Sequence, residues 1–148
     1  MGVEEPRLIP GGASADDRGR VYFANEFDLE ACRRLYMVEN FSRGTVRAWH
    51  AHREERKWVI AVSGTALACC VRIDDWDAPS PDAEVHRFVL DAANPAVLEI
   101  PAGFANGAMS LVEETKLLYL SDASLDESLG DDIRYPARHW DPWHVAER

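Results

Sequence analysis

The sequence is poor in basic residues. Its 148 residues include 16 Lys and Arg against 26 Asp and Glu, which gives a formal net charge of -10. An electrostatic field of that sign repels a nucleic-acid backbone unless basic residues gather on one face, and no segment of the chain gathers them. We therefore expect no nucleic-acid partner. By the same argument, a few locally placed arginines or lysines must hold any anionic small substrate.

Features of membrane-spanning and secreted proteins are also scarce. The longest apolar runs, 58–62 and 66–71, are far shorter than the roughly 20 residues of a membrane helix. Residues 1–10 carry Glu4, Glu5 and Pro6 where a secretory signal has a basic start and an apolar stretch. The chain has only three cysteines, and Cys69 and Cys70 are adjacent in an apolar run, which indicates buried free thiols. These features predict a cytoplasmic protein without a membrane partner.

The composition is typical of one globular domain. Apolar residues make up 47% of the chain and charged residues 28%, which is enough for a sizeable core. We interpret residues 1–148 as a single domain with a short N-terminal arm and an aromatic C-terminal tail. Trp140 and Trp143 in this tail are expected to cover apolar surface, either of the same chain or of a second copy.

The apolar pattern predicts an all-β fold. Short alternating or apolar segments are separated by Gly, Pro, Asn and Asp, which is typical of strands, and Ser63-Gly64 is typical of a tight hairpin turn. Only residues 28–33 and 125–129 favour a helical turn. Many short antiparallel strands protect their edges by closing into a jelly-roll barrel. The predicted strands are residues 20–27, 34–39, 45–52, 57–62, 65–73, 85–90, 96–100, 107–112 and 116–121.

A histidine pair is the most informative local pattern. On a strand His50 and His52 project to the same face, which in a small barrel is the lumen. With Gly44 before them and Gly64 after them, they match the spacing of the first cupin motif, so the chain resembles a cupin-type double-stranded β-helix. Lys57 stands where that motif has its carboxylate ligand.

The second cupin motif is similarly altered. Its Pro-x-Gly element is present at Pro101 and Gly103, but Asn106 stands where the third histidine ligand belongs. Two histidines beside an ammonium group make a poor site for a divalent ion. We therefore expect no bound metal and no other cofactor, and a metal-dependent cupin oxygenase is kept as an alternative.

Further blocks of sequence point to one cupin family. The chain resembles the dTDP-4-dehydrorhamnose 3,5-epimerase family, and residues 34–52 are also similar to sugar-nucleotide 3,4-ketoisomerases. Members of both groups act on 4-keto-6-deoxyhexoses attached to a nucleoside diphosphate. The resemblance is carried by residues 17–19, 47–50, 57, 64, 100–107, 117–119 and 133–135.

The resemblance implies a role for each matching residue. His50 matches the family's general base and Tyr119 its general acid. Lys57 matches a lysine close to the ketone oxygen. Arg18 and Arg47 match arginines that hold the diphosphate. Further expected substrate contacts are His52, Asn106 and Tyr36.

Removal and return of a proton next to a ketone require the same residue types. A proton next to a ketone becomes removable only if a cation such as Lys57 stabilises the developing enolate. An imidazole is a suitable base at neutral pH, and reprotonation from the opposite face by Tyr119 inverts the carbon. If His52 instead returns the proton to the neighbouring carbon on the same side, the product is a keto isomer.

Two departures from the family pattern leave questions open. In the family an aspartate in a longer C-terminal tail orients the catalytic histidine, and several acidic residues here are alternatives for that role. In addition, a strict strand places Arg47 on the face opposite His50, so both can line one pocket only if the strand twists or bulges. The acidic alternatives are Glu26, Asp122, Asp131, Asp132 and Asp141.

We therefore expect a metal-independent isomerase, a 3,5- or 3-epimerase of a nucleotide-linked 4-keto-6-deoxyhexose. A 3,4-ketoisomerase and a non-catalytic sugar-nucleotide-binding cupin are the alternatives. The resemblance and the aromatic tail further predict a homodimer.

Overall fold

A computed structural model describes residues 4–148, and their strands follow the predicted pattern closely. These residues form twelve strands and one short helix, and no helix among them is long and apolar enough to cross a bilayer. The elements are β1 (Arg7–Pro10), β2 (Gly12–Asp16), β3 (Gly19–Phe23), β4 (Arg34–Asn40), β5 (Val46–Ala51), β6 (Lys57–Ser63), β7 (Thr65–Arg72), β8 (Val85–Asp91), β9 (Ala96–Ile100), β10 (Phe104–Ser110), β11 (Thr115–Ser121), α1 (Leu125–Leu129) and β12 (Ile133–Arg134).

Two five-stranded antiparallel sheets build the barrel. The first has the order β1-β9-β6-β11-β4 and the second the order β12-β5-β10-β7-β8, while β2 and β3 form a separate hairpin. Side chains of β6, β9 and β11 pack against side chains of β7, β8 and β10 in one buried cluster. The expectation of an all-β jelly-roll barrel is confirmed.

The outer faces of both sheets are partly covered by other segments of the chain. Trp140 and Trp143 are buried against Trp49 on the outside of the second sheet. Because β7 is therefore buried on both faces, Cys69 and Cys70 are both inaccessible although they are adjacent. The aromatic tail packs on its own chain, so it gives no support to a dimer contact.

Several local predictions were wrong. Ser63-Gly64 joins β6 to β7, which lie in different sheets, so it is a corner of the barrel and not a hairpin turn. Residues 28–33 form turns, in which Asp28 accepts a hydrogen bond from the backbone N–H of Glu30 at 2.9 Å. Strand β10 begins at Phe104, so Asn106 lies inside a strand that was predicted to begin at residue 107. Strands β1, β2 and β12 were not predicted.

Candidate active site

A cavity of about 310 Å³ lies at one end of the barrel between the two sheets. Seven of the eight predicted site residues line it: Tyr36, Arg47, His50, His52, Lys57, Asn106 and Tyr119. The remaining lining residues are Arg34, Val38, Ser128, Leu129, Asp132 and Arg134.

A bulge in β5 brings Arg47 and His50 to the same cavity. Asn106 of β10 pairs with His50 and Ala108 pairs with Arg47, so three residue steps of β5 oppose two steps of β10. The extra residue reverses the alternation of side chains, as the sequence required. Gly107 lies opposite the bulge, where a Cβ atom would come within 2.6 Å of the Ala48 side chain.

The register of three neighbouring strands places the other polar side chains in two rows. Ser121 of β11 lies opposite both Arg34 of β4 and Lys57 of β6. Two residues earlier on β11, Tyr119 lies opposite Tyr36. Side chains two residues apart share a face of the sheet, so both rows face the lumen.

Lys57 and the two tyrosines form one connected group. The Lys57 ammonium group, although buried, donates a 2.8 Å hydrogen bond to the Tyr36 hydroxyl. The Tyr36 and Tyr119 rings are stacked with their centroids 5.1 Å apart. Burial raises the pKa of the Tyr119 hydroxyl well above its ordinary value, and Tyr36 acts in the same direction. Tyr119 is therefore protonated at neutral pH and can act as an acid.

His50 is held as a neutral base next to a carboxylate. Burial lowers its pKa below the ordinary value of 6.5, and the positive charges of Arg134 and Lys57 act in the same direction, while Asp132 opposes them. The Nδ1 atom of His50 lies 3.9 Å from a carboxylate oxygen of Asp132. Of the five acidic residues left open by the sequence, Asp132 is the one whose carboxylate lies beside His50, at the distance of an ion pair and not of a hydrogen bond.

His52 is buried, and its ring has a defined orientation. Its Nδ1 atom lies 2.6 Å from the carbonyl oxygen of Asp131. A carbonyl only accepts hydrogen bonds, so Nδ1 carries the hydrogen atom. The Nε2 atom is buried and finds no hydrogen-bond partner within residues 4–148. His52 therefore lines the cavity and has an unprotonated ring nitrogen that is buried and bound by no other group of residues 4–148.

Two side-chain amides stabilise the site. Asn40 accepts a 2.7 Å hydrogen bond from Nε of Arg47. Asn106 donates a 3.2 Å hydrogen bond to the carbonyl oxygen of His50. The first bond leaves the terminal nitrogens of Arg47 available to a ligand, and the second supports the bulged strand.

The cavity is electropositive in a protein of net charge -10. Arg34, Arg47, Lys57 and Arg134 line it, while Asp132 is its one lining carboxylate among the residues described. Such a site concentrates an anionic ligand against the field of the whole molecule.

Sequence reasoning missed some of the residues that line the cavity. Arg34 was not singled out, although its position two residues before Tyr36 on a predicted strand was an available signal. Ser128 and Leu129 were also not singled out, although they lie in the segment predicted to be helical, and α1 brings both to the cavity.

Arg18 is the predicted site residue that lies elsewhere. It is located in the turn between β2 and β3, where its side chain is 86% exposed and paired with Asp16. No group of three His, Cys, Asp or Glu side chains arranged to hold a metal ion is found in the described part of the chain.

Comparison with known proteins decides the family. The family model of dTDP-4-dehydrorhamnose 3,5-epimerase matches residues 5–140. The chain belongs to this family. The match to the family model confirms the resemblance inferred from the sequence. A search of curated protein sequences finds no match.

Solved structures show the same fold. A dTDP-4-dehydrorhamnose 3,5-epimerase from Bacillus anthracis with TDP and PPi bound is 21% identical with a TM-score of 0.74, over 97% of this chain and 87% of that one. An epimerase from Mycobacterium tuberculosis is 21% identical with a TM-score of 0.67, over 84% of this chain and 66% of that one.

The structure of a different enzyme, a ketoisomerase, is about as similar to this chain as the two epimerases are. A mutant 3,4-ketoisomerase from Thermoanaerobacterium thermosaccharolyticum, in complex with TDP-4-keto-6-deoxyglucose, is 20% identical with a TM-score of 0.67. The match covers 95% of this chain and 94% of that one. The fold is therefore shared by epimerases and ketoisomerases.

Proposed function

We propose that the protein is an isomerase that epimerises a 4-keto-6-deoxyhexose linked to a nucleoside diphosphate, at C3 or at C3 and C5. One observation carries the proposal within the family. His50, Lys57 and Tyr119 line a single cavity, with the base on one sheet and the acid on the other.

The first step is removal of the proton next to the ketone. Neutral His50 takes the proton, and the electron pair of the C–H bond moves into an enolate. The buried ammonium group of Lys57 stabilises the negative charge on the enolate oxygen. Asp132 orients the His50 ring and stabilises the imidazolium that forms.

The second step is protonation from the opposite side. Tyr119 lies on β11 of the first sheet and His50 on β5 of the second, so a sugar between them meets the two groups on opposite faces. Proton donation by Tyr119 therefore inverts the carbon. Tyr36 bonds to Lys57 and stacks on Tyr119, and so it is suited to contact the sugar.

Arginines account for the diphosphate. Arg47 faces the cavity with its terminal nitrogens available for bidentate bonds to phosphate oxygens. Arg18 lies outside the cavity of its own chain, so its proposed contact with the diphosphate depends on a second copy. We propose a homodimer for this reason, and because the hairpin and β4 expose apolar side chains.

A cytoplasmic location is also part of the proposal. All three cysteines are free, which suits a reducing compartment.

A 3,4-ketoisomerase is the second candidate function, and His52 is the observation that favours it. A second base with a free Nε2 atom on the same wall as His50 is suited to carry a proton between adjacent carbons on one face of the sugar. An epimerase that uses His50 and Tyr119 has no need of such a group.

Product analysis in deuterated water tests both candidates. The protein is incubated with TDP-4-keto-6-deoxyglucose, and the product is followed by NMR. Epimerisation predicts deuterium at C3, or at C3 and C5, with the ketone remaining at C4. Movement of the ketone to C3 would establish the ketoisomerase.

A variant of the base gives the control. We expect His50→Asn to lose deuterium uptake by about 1,000-fold while TDP binding is retained, because a general base is worth about that factor. If the parent protein binds TDP but produces neither label uptake nor a new sugar, it is a non-catalytic sugar-nucleotide-binding cupin.

A further inference from the structure

Glu55 is a buried carboxylate that the proposed reaction does not use. It lies between β5 and β6, and its side chain is 1% exposed, although Arg53 and Glu54 just before it are exposed. The carboxylate of Asp131 holds this segment, because it accepts hydrogen bonds from the backbone N–H groups of residues 53, 54 and 55 at 2.7, 2.9 and 3.0 Å.

Three different elements bind the Glu55 carboxylate. Ser121 of β11 donates a short hydrogen bond to one carboxylate oxygen, and Arg34 of β4 donates a 3.2 Å bond to the same oxygen. Ser128 of α1 donates a 2.8 Å bond to the other oxygen. Two hydroxyl groups and a guanidinium therefore compensate the buried negative charge.

The same carboxylate approaches the back of His52. Its second oxygen lies 3.4 Å from Nδ1 of His52, next to the Asp131 carbonyl that accepts the Nδ1 hydrogen atom. Two acceptors thus lie on one side of the ring, while the buried Nε2 atom on the other side has no partner in residues 4–148. The hydrogen bond to the Asp131 carbonyl oxygen sets the tautomer of His52, and the Glu55 carboxylate beside it favours the same ring orientation electrostatically.

We propose that Glu55 is a positioning residue that holds His52 with its Nδ1–H group directed away from the cavity, so that Nε2 acts as a second base toward the sugar. The catalytic part of the inference rests on the second candidate function, the 3,4-ketoisomerase, because that reaction uses His52 as a base. Each histidine of the pair then has its own carboxylate, Asp132 behind His50 and Glu55 behind His52. Because Ser128 binds Glu55, α1 connects the cavity wall to the orientation of this base.

The charges around His52 determine how it responds to the loss of Glu55. Burial lowers the pKa of His52, the Lys57 ammonium acts in the same direction, and the Asp131 hydrogen bond and the Glu55 carboxylate oppose them. His50 and Asp132 are the other titratable groups around His52 and Glu55, and Arg34 is bound to Glu55. Removal of the Glu55 charge therefore lowers the pKa of His52 further.

Glu55→Gln is the decisive variant, because it keeps the size of the side chain and removes its charge. In the parent protein, nitrogen-15 NMR of labelled histidine is expected to show the Nδ1–H tautomer for His52. In the variant we expect the pKa of His52 to fall by about half a unit or more. With substrate we expect kcat to fall about 10-fold or more with KM changed less than about 2-fold, as for other residues that orient a reacting group.

Glu99→Gln is the matched control. Glu99 is a half-buried carboxylate that accepts hydrogen bonds from Arg56 and Trp58, away from the cavity. Glu99→Gln makes the same chemical change as Glu55→Gln, and it is expected to leave the pKa of His52 and the kcat of the protein unchanged. If Glu55→Gln fails to fold, Ser128→Ala removes one anchor of the carboxylate and is expected to shift the same two quantities less.

The two arms of the experiment separate this inference from the proposed function. A folded Glu55→Gln protein with the parental tautomer and pKa of His52 overturns the positioning role. A parent protein without turnover overturns the proposed function alone, since the NMR arm needs no substrate.

Discussion

The two histidines of the cavity have different surroundings, although they are two residues apart. His50 lies at the cavity surface with a side chain that is 35% exposed, while the His52 side chain is 5% exposed. The pKa of each is lowered, with burial as the largest cause in both cases. Both are therefore available as neutral bases at neutral pH, where an unperturbed histidine would be partly protonated.

Arg134 offers a direct test of the His50 environment. Its charge lowers the pKa of His50, and it also pairs with Asp132 at 3.0 Å, which weakens the opposing effect of that carboxylate. In Arg134→Ala both effects disappear, so the pKa of His50 rises. A base must be neutral to act, and the acidic limb of the kcat/KM profile should therefore move to higher pH.

The control for this prediction is Arg138→Ala. Arg138 pairs with Asp141 and its side chain is 73% exposed, and it is not a lining residue of the cavity. Its profile should match that of the parent protein. An acidic limb that does not move in Arg134→Ala would show that His50 is not the group that titrates.

Tyr119→Phe separates proton removal from proton return. Without the hydroxyl group His50 still removes the proton and can return deuterium to the same face, so exchange next to the ketone persists. Inversion requires an acid on the opposite face, and we expect the yield of inverted sugar per unit time to fall about 100-fold. NMR in deuterated water measures both rates in one sample.

Tyr135→Phe serves as the comparison for Tyr119→Phe. Tyr135 does not line the cavity, and its hydroxyl group donates a 2.7 Å hydrogen bond to the carbonyl oxygen of Trp76, so the loss of this hydroxyl group should change neither rate. If exchange and inversion fall together in Tyr119→Phe, then Tyr119 is not a dedicated acid.

The sequence predicted the cavity side chains better than the groups behind them. The spacing of His50, His52 and Lys57 was sufficient to place them together, because strand alternation and the cupin register determine side-chain direction. Glu55 was missed since it belongs to the charged run HREERK, which is typical of a solvated loop. Its burial is decided by Ser121 and Ser128, about 70 residues away, and no local pattern reports such a contact.

At the scale of secondary structure, the bulge in β5 decides which charges reach the substrate. The sequence showed that a twist or a bulge was needed, because regular alternation directs Arg47 away from His50. It did not show where the space for the bulge is made. That space is at Gly107 of β10, where the missing side chain leaves room for Ala48 and for the ring of Trp143.

Gly107→Ala is therefore predicted to be costly in both stability and binding. Its Cβ atom would come within 2.6 Å of the Ala48 Cβ atom and 3.1 Å of the Trp143 ring. Overpacking of this kind costs about 2 kcal/mol, and displacement of the bulge moves Arg47, so KM should rise more than kcat falls. Thermal unfolding and steady-state kinetics measure the two effects.

Gly130→Ala is the matched substitution for Gly107→Ala. Gly130 has a φ of -81° and follows α1. A Cβ atom there would meet its nearest neighbour, the carbonyl oxygen of Glu127, at 3.6 Å. The unfolding temperature of this variant should be close to that of the parent. A stable Gly107→Ala protein with normal KM would show that β5 does not depend on the space at Gly107.

Two of the three strands that sequence analysis missed share a physical reason. Strand β2 has the sequence GASAD and β12 has two residues, so neither contains enough apolar alternation to register as a strand. They pair because neighbouring strands supply a partner. In contrast, Leu125–Leu129 was predicted as helical, and it carries a complete capping box between Ser124 and Glu127.

At the scale of the whole molecule, the chain leaves an apolar edge without a covering segment among the described residues. Strand β4 ends the first sheet. Leu35, Met37 and Phe41, on β4 or directly after it, are 66%, 54% and 77% exposed. Val21 and Tyr22 of the hairpin are also exposed. Exposed apolar edge strands are sites of association, and a second copy of the chain is the partner consistent with the proposed role of Arg18.

The proposed homodimer therefore predicts a specific monomeric variant. Leu35→Lys combined with Met37→Lys places two charges on the outward face of β4, while the inward side chains Arg34 and Tyr36 are kept. We expect the parent protein to have the mass of a dimer by light scattering after gel filtration, and the double variant to have the mass of a monomer. Because Arg18 then loses access to a second cavity, the monomer should also bind TDP about 10-fold more weakly, as expected for one lost arginine–phosphate contact.

The comparison variant is Val89→Lys. Val89 lies on β8, the edge strand of the second sheet, and is 59% exposed, which is similar to the exposure of Leu35 and Met37 on β4. It should remain a dimer, because the prediction assigns the contact to β4 and not to any exposed sheet edge. A monomeric parent protein would exclude the dimer, and would leave Arg18 without a diphosphate to bind. Dissociation by Val89→Lys but not by the double variant would move the interface to the second sheet.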